Sequence, residues 1–264
     1  MFEKILVGYL DGEHGTEALA LGQSLSYATG APIELATVEA GADDLAELAR
    51  GRGADLIVLG SSHRSGFGRT VPGSTAERLL ADAPCAIAVA PPKFGQLAPG
   101  EPDWRPLDGR GEDSGMRVIG VGYDGSPTSR RALEVATELA QANSAALRVF
   151  TVASRLASHT PVGDNPYAEG VPSQSDALRE ELHKAVRELP SEVRALPVLV
   201  RGFEADELLK VAGLGVDLLV LGSRPGGPLR RRLHRSVTSV VLSRAKCPVL
   251  VVPTMVVAEV AAPA

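Results

Sequence analysis

The chain contains one unit twice, and this duplication limits its folds more than any other feature. DAPCAIAVAPP at Asp82 to Pro92 returns as RAKCPVLVVPT at Arg244 to Thr254, and ADLIVLGSSH at Ala54 to His63 returns as VDLLVLGSRP at Val216 to Pro225. The opening run ILVGYLDG at Ile5 to Gly12 returns as VIGVGYDG at Val118 to Gly125. Two similar units built in series are therefore expected.

The two copies are not equal in length. Tyr123 follows Tyr9 by 114 residues and Cys247 follows Cys85 by 162, so 162 − 114 = 48 residues have no counterpart in the first copy. Ile33 to Val38 matches Leu147 to Val152 at the early offset, while Val38 also matches Val200 at the late one. The segment without a counterpart is thus Ala153 to Val200. It holds a helix-like stretch, Ser173 to Leu189, and a short apolar run, Leu196 to Val200. The first copy should lack one helix and one strand.

Each copy alternates short β-branched runs with helical patterns, the signature of parallel strands joined by crossover helices. In the second copy the strands are expected at Arg117 to Tyr123, Ala146 to Val152, Leu196 to Val200, Asp217 to Gly222 and Pro248 to Val252. Between the first two, Ser126 to Asn143 carries Ala132, Leu133, Ala136, Leu139 and Ala140 on one helical face. Runs such as VIGVG, DLLVLG and VLVV are nearly continuous in apolar character, as strands covered on both faces must be. The fold class expected is α/β, with two doubly wound parallel sheets in tandem. Pro91 to Met116 has five prolines and five glycines in 26 residues, holds the single tryptophan, Trp104, and reads as a linker that builds no core. The expected division is a shortened first domain at 1–92, a linker at 93–116, a complete second domain at 117–254 and a tail at 255–264. The tail reads as a fraying end or an added edge strand.

A formal charge of −5 and a pI near 5.6 argue against broad contact with nucleic acid or anionic lipid. No run of 18 or more apolar residues occurs, and MFEKILVGY puts charges where a signal peptide needs its apolar core, so a cytoplasmic protein without membrane contact is expected. Cys85 and Cys247 occupy equivalent positions with no CxxC or histidine-rich spacing beside them, which favours buried structural thiols over redox or metal chemistry.

In open α/β sheets, ligands bind beyond the carboxyl ends of the strands, where helix N-termini offer unpaired amides. In the first copy that turn is GSSHRSGFGRTVPGSTAERLL from Gly60 to Leu80, with Gly73, Ser74 and Thr75 at a helix start. Glycine admits a phosphate close to the backbone, and a capping serine adds a hydroxyl. Here the chain resembles the universal stress protein family, whose phosphate loop reads Gly, two residues, Gly, nine residues, Gly, then Ser or Thr. Gly60 matches the first glycine, His63 stands at the second, and Gly73 and Ser74 match the closing pair. GYDGS at Gly122 to Ser126 and the cysteine preceding each last strand extend the resemblance over both copies.

The resemblance implies an adenine nucleotide alpha hydrolase-like fold with strand order 3-2-1-4-5, and ATP or AMP bound in some members. By matching positions, Asp124 and Val152 would hold adenosine in the second copy, and Gly222, Arg235 and Ser236 would form its phosphate loop. Pro225 replaces the second glycine there, and Arg235 puts a side chain where bare backbone is wanted. In the first copy Val38 matches Val152, but Leu10 stands opposite Asp124, so Asp11 substitutes only through a one-residue shift that a bulge would have to absorb. The basic residues Arg224, Arg230, Arg231, Arg232, His234 and Arg235 offer bidentate phosphate contacts or form a solvated loop.

Gly120, Gly122 and Gly125 spell GxGxxG, but VFTVAS at Val149 to Ser154 ends in no acidic residue, so a dinucleotide fingerprint is not supported. Glu180 and His183 lie three apart with no second such pair. No GxSxG, HExxH or Gly-Lys-Ser/Thr ending occurs, and His63 beside Ser61 and Ser62 has no orienting carboxylate in sequence, so no catalytic residue is expected. The expected function is a stress-response protein that binds an adenine nucleotide, a regulatory protein partner, or both, without catalysis. No metal is expected beyond Mg accompanying a nucleotide. The alternative is a nucleotide-free interaction scaffold in which both sites are degenerate. The two copies should form an intramolecular pseudo-dimer across their last strands, with homo-oligomers open, and the missing strand should lie at the opposite edge of the first sheet.

Overall fold

The computed structural model describes residues 1–9, 13–37, 42–61, 74–81, 83–95, 116–154, 174–223 and 236–253. The first half runs β1 (Ile5–Tyr9), α1 (Glu13–Thr29), β2 (Ile33–Thr37), α2 (Ala42–Arg52), β3 (Leu56–Leu59), α3 (Ser74–Ala81) and β4 (Ala86–Val89). The second runs β5 (Val118–Gly122), α4 (Pro127–Asn143), β6 (Ala146–Ser154), α5 (Gln174–Arg187), β7 (Ala195–Gly202), α6 (Glu204–Ala212), β8 (Leu218–Ser223), α7 (Val237–Arg244) and β9 (Val249–Pro253).

The nine strands among the described residues form one sheet in the order β2-β1-β3-β4-β9-β8-β5-β6-β7. Every neighbouring pair is parallel except β4 with β9. Read from its outer edge, the second half has its third, second, first, fourth and fifth strands in sequence, while among the described residues the first half has no counterpart of the outermost one. α5 and β7 are the elements without a counterpart, as the register arithmetic requires.

Strand composition follows from the layers on each side. Leu56 and Val58 of β3 enter one apolar cluster with Leu21 and Leu25 of α1, Leu139 of α4 and Leu182 of α5. Ile57 and Leu59 enter another with Leu45 of α2, Leu79 of α3, Leu208 of α6 and Val241 of α7. Alternate side chains of one strand thus meet helices on both faces, so no position of β3 can be polar. Two aspartates start equivalent strands by the same device. Asp55 accepts from the amides of Glu3 and Lys4 at 2.7 and 3.0 Å, and Asp217 from those of Arg117 and Val118 at 2.8 and 2.8 Å.

The junction of the halves has two-fold character. Ile87 pairs with Val251, Ala88 with Leu250 and Val89 with Val249. The repeat counterpart of Ile87 at offset 162 is Val249, and that of Val89 is Val251. Each contact is therefore returned by its counterpart, as an isologous interface demands, with the axis through Ala88 and Leu250. α1 and α4 pack beside each other in the same apolar cluster. Each fully buried aliphatic side chain contributes about 1.5–3 kcal/mol. The exposed contact of the Met1 amine with Glu138 contributes about 0–1 kcal/mol, so apolar burial closes this seam.

The Pro91 to Met116 segment enters the core at its ends, contrary to its reading as linker throughout. Phe94 and Met116 are each 2% exposed and join the cluster of α1 and α4. Long-range packing captured two large apolar side chains that local composition hides. Trp104 and the tail lie outside the described residues. No described helix is long and apolar enough to cross a membrane.

Candidate functional site

The second half turns outward at β5, with β6 on one side and β8 on the other, which makes the carboxyl end of β5 the topological switch point. Tyr123 continues the strand, donating its amide to the Phe150 carbonyl at 2.8 Å, and its own carbonyl accepts from the Thr151 hydroxyl at 2.8 Å. The Tyr123 ring is buried, and burial pushes its hydroxyl above the usual tyrosine range despite the opposing pull of the Arg130 guanidinium.

Asp124 follows, exposed at the head of α4. Its Oδ1 accepts from the Ser126 amide at 3.0 Å and from the Ser126 hydroxyl, while its own amide donates to Ser129 Oγ at 3.3 Å. Ser126 is the N-cap, its Oγ accepting from the Ser129 amide, and Pro127 opens the helix where no amide partner is required. Gly125 has φ +76°, and a Cβ there would lie 2.2 Å from Glu181 Oε1. α5 therefore rests directly on the turn, with Arg130 paired to Glu181 at 3.5 Å. Between α4 and α5 runs a groove of about 820 Å3 lined by Glu134, Glu138, Glu180, Glu181 and Glu188 against Arg130 and Lys184. Five carboxylates against two cations repel a polyphosphate.

β6 outruns β5. Its partner on the β5 side ends at Gly122, opposite Phe150, whereas β6 continues to Ser154 beside β7. Backbone groups two residues apart in a strand face the same neighbour. The N–H and C=O of Val152 thus point as those of Phe150 do, into the space past the end of β5, and its half-buried side chain packs into the opposite cluster.

Gly222, the residue before the last of β8, lies next to this turn. A Cβ on it would lie 2.5 Å from the Thr128 carbonyl oxygen and 3.0 Å from the Ser129 nitrogen, so the first turn of α4 already occupies its bare face. Ser236 caps α7, its Oγ accepting from the Ser239 amide at 3.1 Å. The structure gathers Asp124, Val152 and Gly222 at the carboxyl ends of β5, β6 and β8. Arg235 and the other basic loop residues lie outside the described residues.

In the first half Gly60 follows β3, Ser74 opens α3 and Thr75 is half-buried in its first turn. Asp11, Val38, His63 and Gly73 lie outside the described residues. Periodicity did not single out Glu17, which is 2% exposed on α1. Its carboxylate accepts from the Ser61 hydroxyl at 3.0 Å and from the Lys93 amide. A buried carboxylate therefore stands beside Ser61, two residues past the end of β3, where Arg131 is its counterpart in the second copy. Sequence reasoning did not single out Ser126 or Ser129, although GSPTS carries a capping signal, and Glu181 reaches the site through tertiary packing alone.

Both cysteines are free and buried, and burial pushes each thiol up to about 12 from the ordinary 9. Gly120 and Gly122 serve packing, since Cβ atoms there would lie 2.9 Å from the Phe150 ring and 2.7 Å from Leu221. No group of three or more His, Cys, Asp or Glu that could hold a metal occurs among the described residues.

The family model for the universal stress protein family matches residues 37–91 and 115–253, one segment in each half. The chain belongs to the universal stress protein family. A universal stress protein of Thermus aquaticus is 34% identical over 144 residues, which cover 52% of this chain and 98% of the relative. Among solved structures, a universal stress protein of Pseudomonas aeruginosa shares the fold with a TM-score of 0.60 at 15% identity, covering 96% of this chain and 93% of that one. One from Archaeoglobus fulgidus gives a TM-score of 0.56 at 15% identity, covering 95% and 86%. This universal stress protein is thus a tandem member, and among the described residues its first half has no counterpart of α5 and β7.

Proposed function

We propose that this universal stress protein is a non-catalytic binder of an adenine nucleotide, ATP or AMP, and that the second half holds the adenosine end. The observation that carries the reading is the Val152 backbone facing the space beyond β5, beside the exposed carboxylate of Asp124. An adenine edge offers a donor next to an acceptor, which a backbone N–H and C=O pair matches, and a carboxylate accepts from an amino group or a ribose hydroxyl. The acidic groove toward α5 turns the phosphates the other way, toward the loop between Gly222 and Ser236, where Arg235 supplies charge. Gly60, His63, Gly73, Ser74 and Thr75, with Val38 and Asp11, are proposed as a weaker site in the first half, with the buried Glu17 beside Ser61 opposing anions. Any Mg arrives with the nucleotide.

Isothermal titration of the full chain with AMP, ATP and adenosine tests this. Binding of all three, weakened at least tenfold by Asp124→Ala, is expected. No heat with any of them at millimolar concentration contradicts it.

A second reading has its own support: the Asp124 carboxylate already serves Ser126, and α4 already fills the bare face of Gly222. These favour a scaffold that meets a protein partner without nucleotide. Nucleotide released by denaturing the purified protein separates the two, since stoichiometric AMP or ATP rules out the scaffold reading.

A further inference from the structure

The repeat shows what a complete half sets beside its second strand, and among the described residues the first half leaves that place bare. β6 pairs with β7, and α5 packs over both through Leu182 and Ala185. In that half Leu133, Thr137, Leu147 and Val149 are all buried. Their counterparts at offset 114 are Leu19, Gln23, Ile33 and Leu35. Leu19 and Ile33 are only half-buried, Gln23 is exposed, and Leu35 is 52% exposed. Tyr27, one turn beyond Gln23 on α1, is 69% exposed. From Ala18 to Ile33 the chain carries no charged residue, whereas the matching stretch of the second half carries Glu134 and Glu138. Solvated helix faces are normally charged, while the centres of interfaces are depleted of charge and rich in tyrosine.

The backbone of β2 is open at the same place. The Ile5 amide donates to the Pro32 carbonyl, so the backbone groups of Pro32, Glu34 and Ala36 face β1, and those of Ile33, Leu35 and Thr37 face away from it. In the second half the matching Leu147 amide donates to the Arg194 carbonyl and begins the ladder to β7. The other edge of the sheet is blunted. Arg194 faces β6, so Pro197 faces outward with no N–H to offer, and the exposed Arg201 faces outward likewise. The three outward-facing residues of β2 include neither a proline nor a charge.

We propose that two copies of this chain join through β2, antiparallel, about a two-fold axis at Leu35. That register sets Leu35 against the partner's Leu35, Ile33 against the partner's Thr37 and Glu34 against the partner's Ala36. Glu34, already held by Lys4 and Arg52, therefore meets no like charge directly opposite. An uncharged patch suits self-pairing, because a two-fold axis brings any charge near it against its own image. The seam within the chain is the precedent. There β4 and β9 pair antiparallel between the strands under α1 and those under α4, and the two helices still meet in one apolar cluster. A β2 junction likewise sets two strands between β1 and β3, which α1 covers, and their images in the second copy. Leu19, Gln23 and Tyr27 of both copies then close over Leu35 as the helices of the seam close over Ala88.

Sedimentation equilibrium of the full chain tests the junction, with the mass of a dimer expected at micromolar concentration. Leu35→Lys and Tyr27→Glu, both at exposed positions, should each weaken dimerisation at least tenfold while the circular dichroism spectrum stays that of the wild type. Leu196→Lys, on the exposed face of β7 at the other edge, should leave it unchanged. A short bis-maleimide should join two chains of full-length Leu35→Cys and not of Leu196→Cys, the native Cys85 and Cys247 being buried. If Leu35→Lys fails to fold, Tyr27→Glu and the cross-link at position 35 decide. A wild-type chain that stays monomeric overturns the proposal and leaves another protein as the occupant of the edge. Dimers that survive both substitutions, or that cross-link through position 196 and not 35, overturn it as well.

Discussion

A methyl group at Gly222 would lie 2.5 Å from a backbone oxygen of α4 that has nowhere to move. Gly222→Ala should therefore cost about 1–3 kcal/mol as overpacking, read as a shift in the urea midpoint. Gly215 has φ +75° with nothing within 4 Å of an added Cβ, so Gly215→Ala should cost only the left-handed backbone term, about 1 kcal/mol. The cysteines make a pH prediction. Burial pushes both thiols up to about 12, so between the ordinary 9 and about 12 the unfolded chain has released protons that the folded chain keeps. Their contribution is fully present below 9 and is lost as pH climbs toward 12. Urea midpoints at about pH 8 and about pH 10.5 should fall more in the wild type than in Cys85→Ala/Cys247→Ala. A parallel fall in both would contradict the assignment.

At the element scale, the strands were legible because burial on both faces leaves a nearly uninterrupted apolar run, and β5, β8 and β9 begin and end within a residue of expectation. β6 and β7 run further, to Ser154 and Gly202, because they pair with each other past the end of β5. Sequence pattern marks where a strand is covered and not how far its partner continues, yet that overhang is what leaves the Val152 backbone facing the space past the end of β5. The same limit hid Glu17, Phe94 and Met116, whose burial depends on elements far away in the chain. The strand-initiating aspartates give a test at this scale. Asp217→Ala leaves the amides of Arg117 and Val118 without their acceptor and should destabilise by about 1–3 kcal/mol, and Asp55→Ala should do the same in the first half.

Across the whole molecule, the two apolar clusters each contain residues of both halves, and β4 and β9 join the sheets by backbone pairing. The halves should therefore unfold together, with circular dichroism and calorimetry reporting one coincident transition; two separated transitions would mean that the seam is weak. The duplication thus yields one continuous sheet with two unequal ends, one carrying the proposed adenosine site at Asp124 and Val152 and the other a buried carboxylate, Glu17, beside Ser61. Hydrogen exchange of the full chain with and without saturating AMP tests this division most directly. Protection is predicted at residues 123–129 and 152–154, and protection confined to residues 60–81, or none at all, would contradict it.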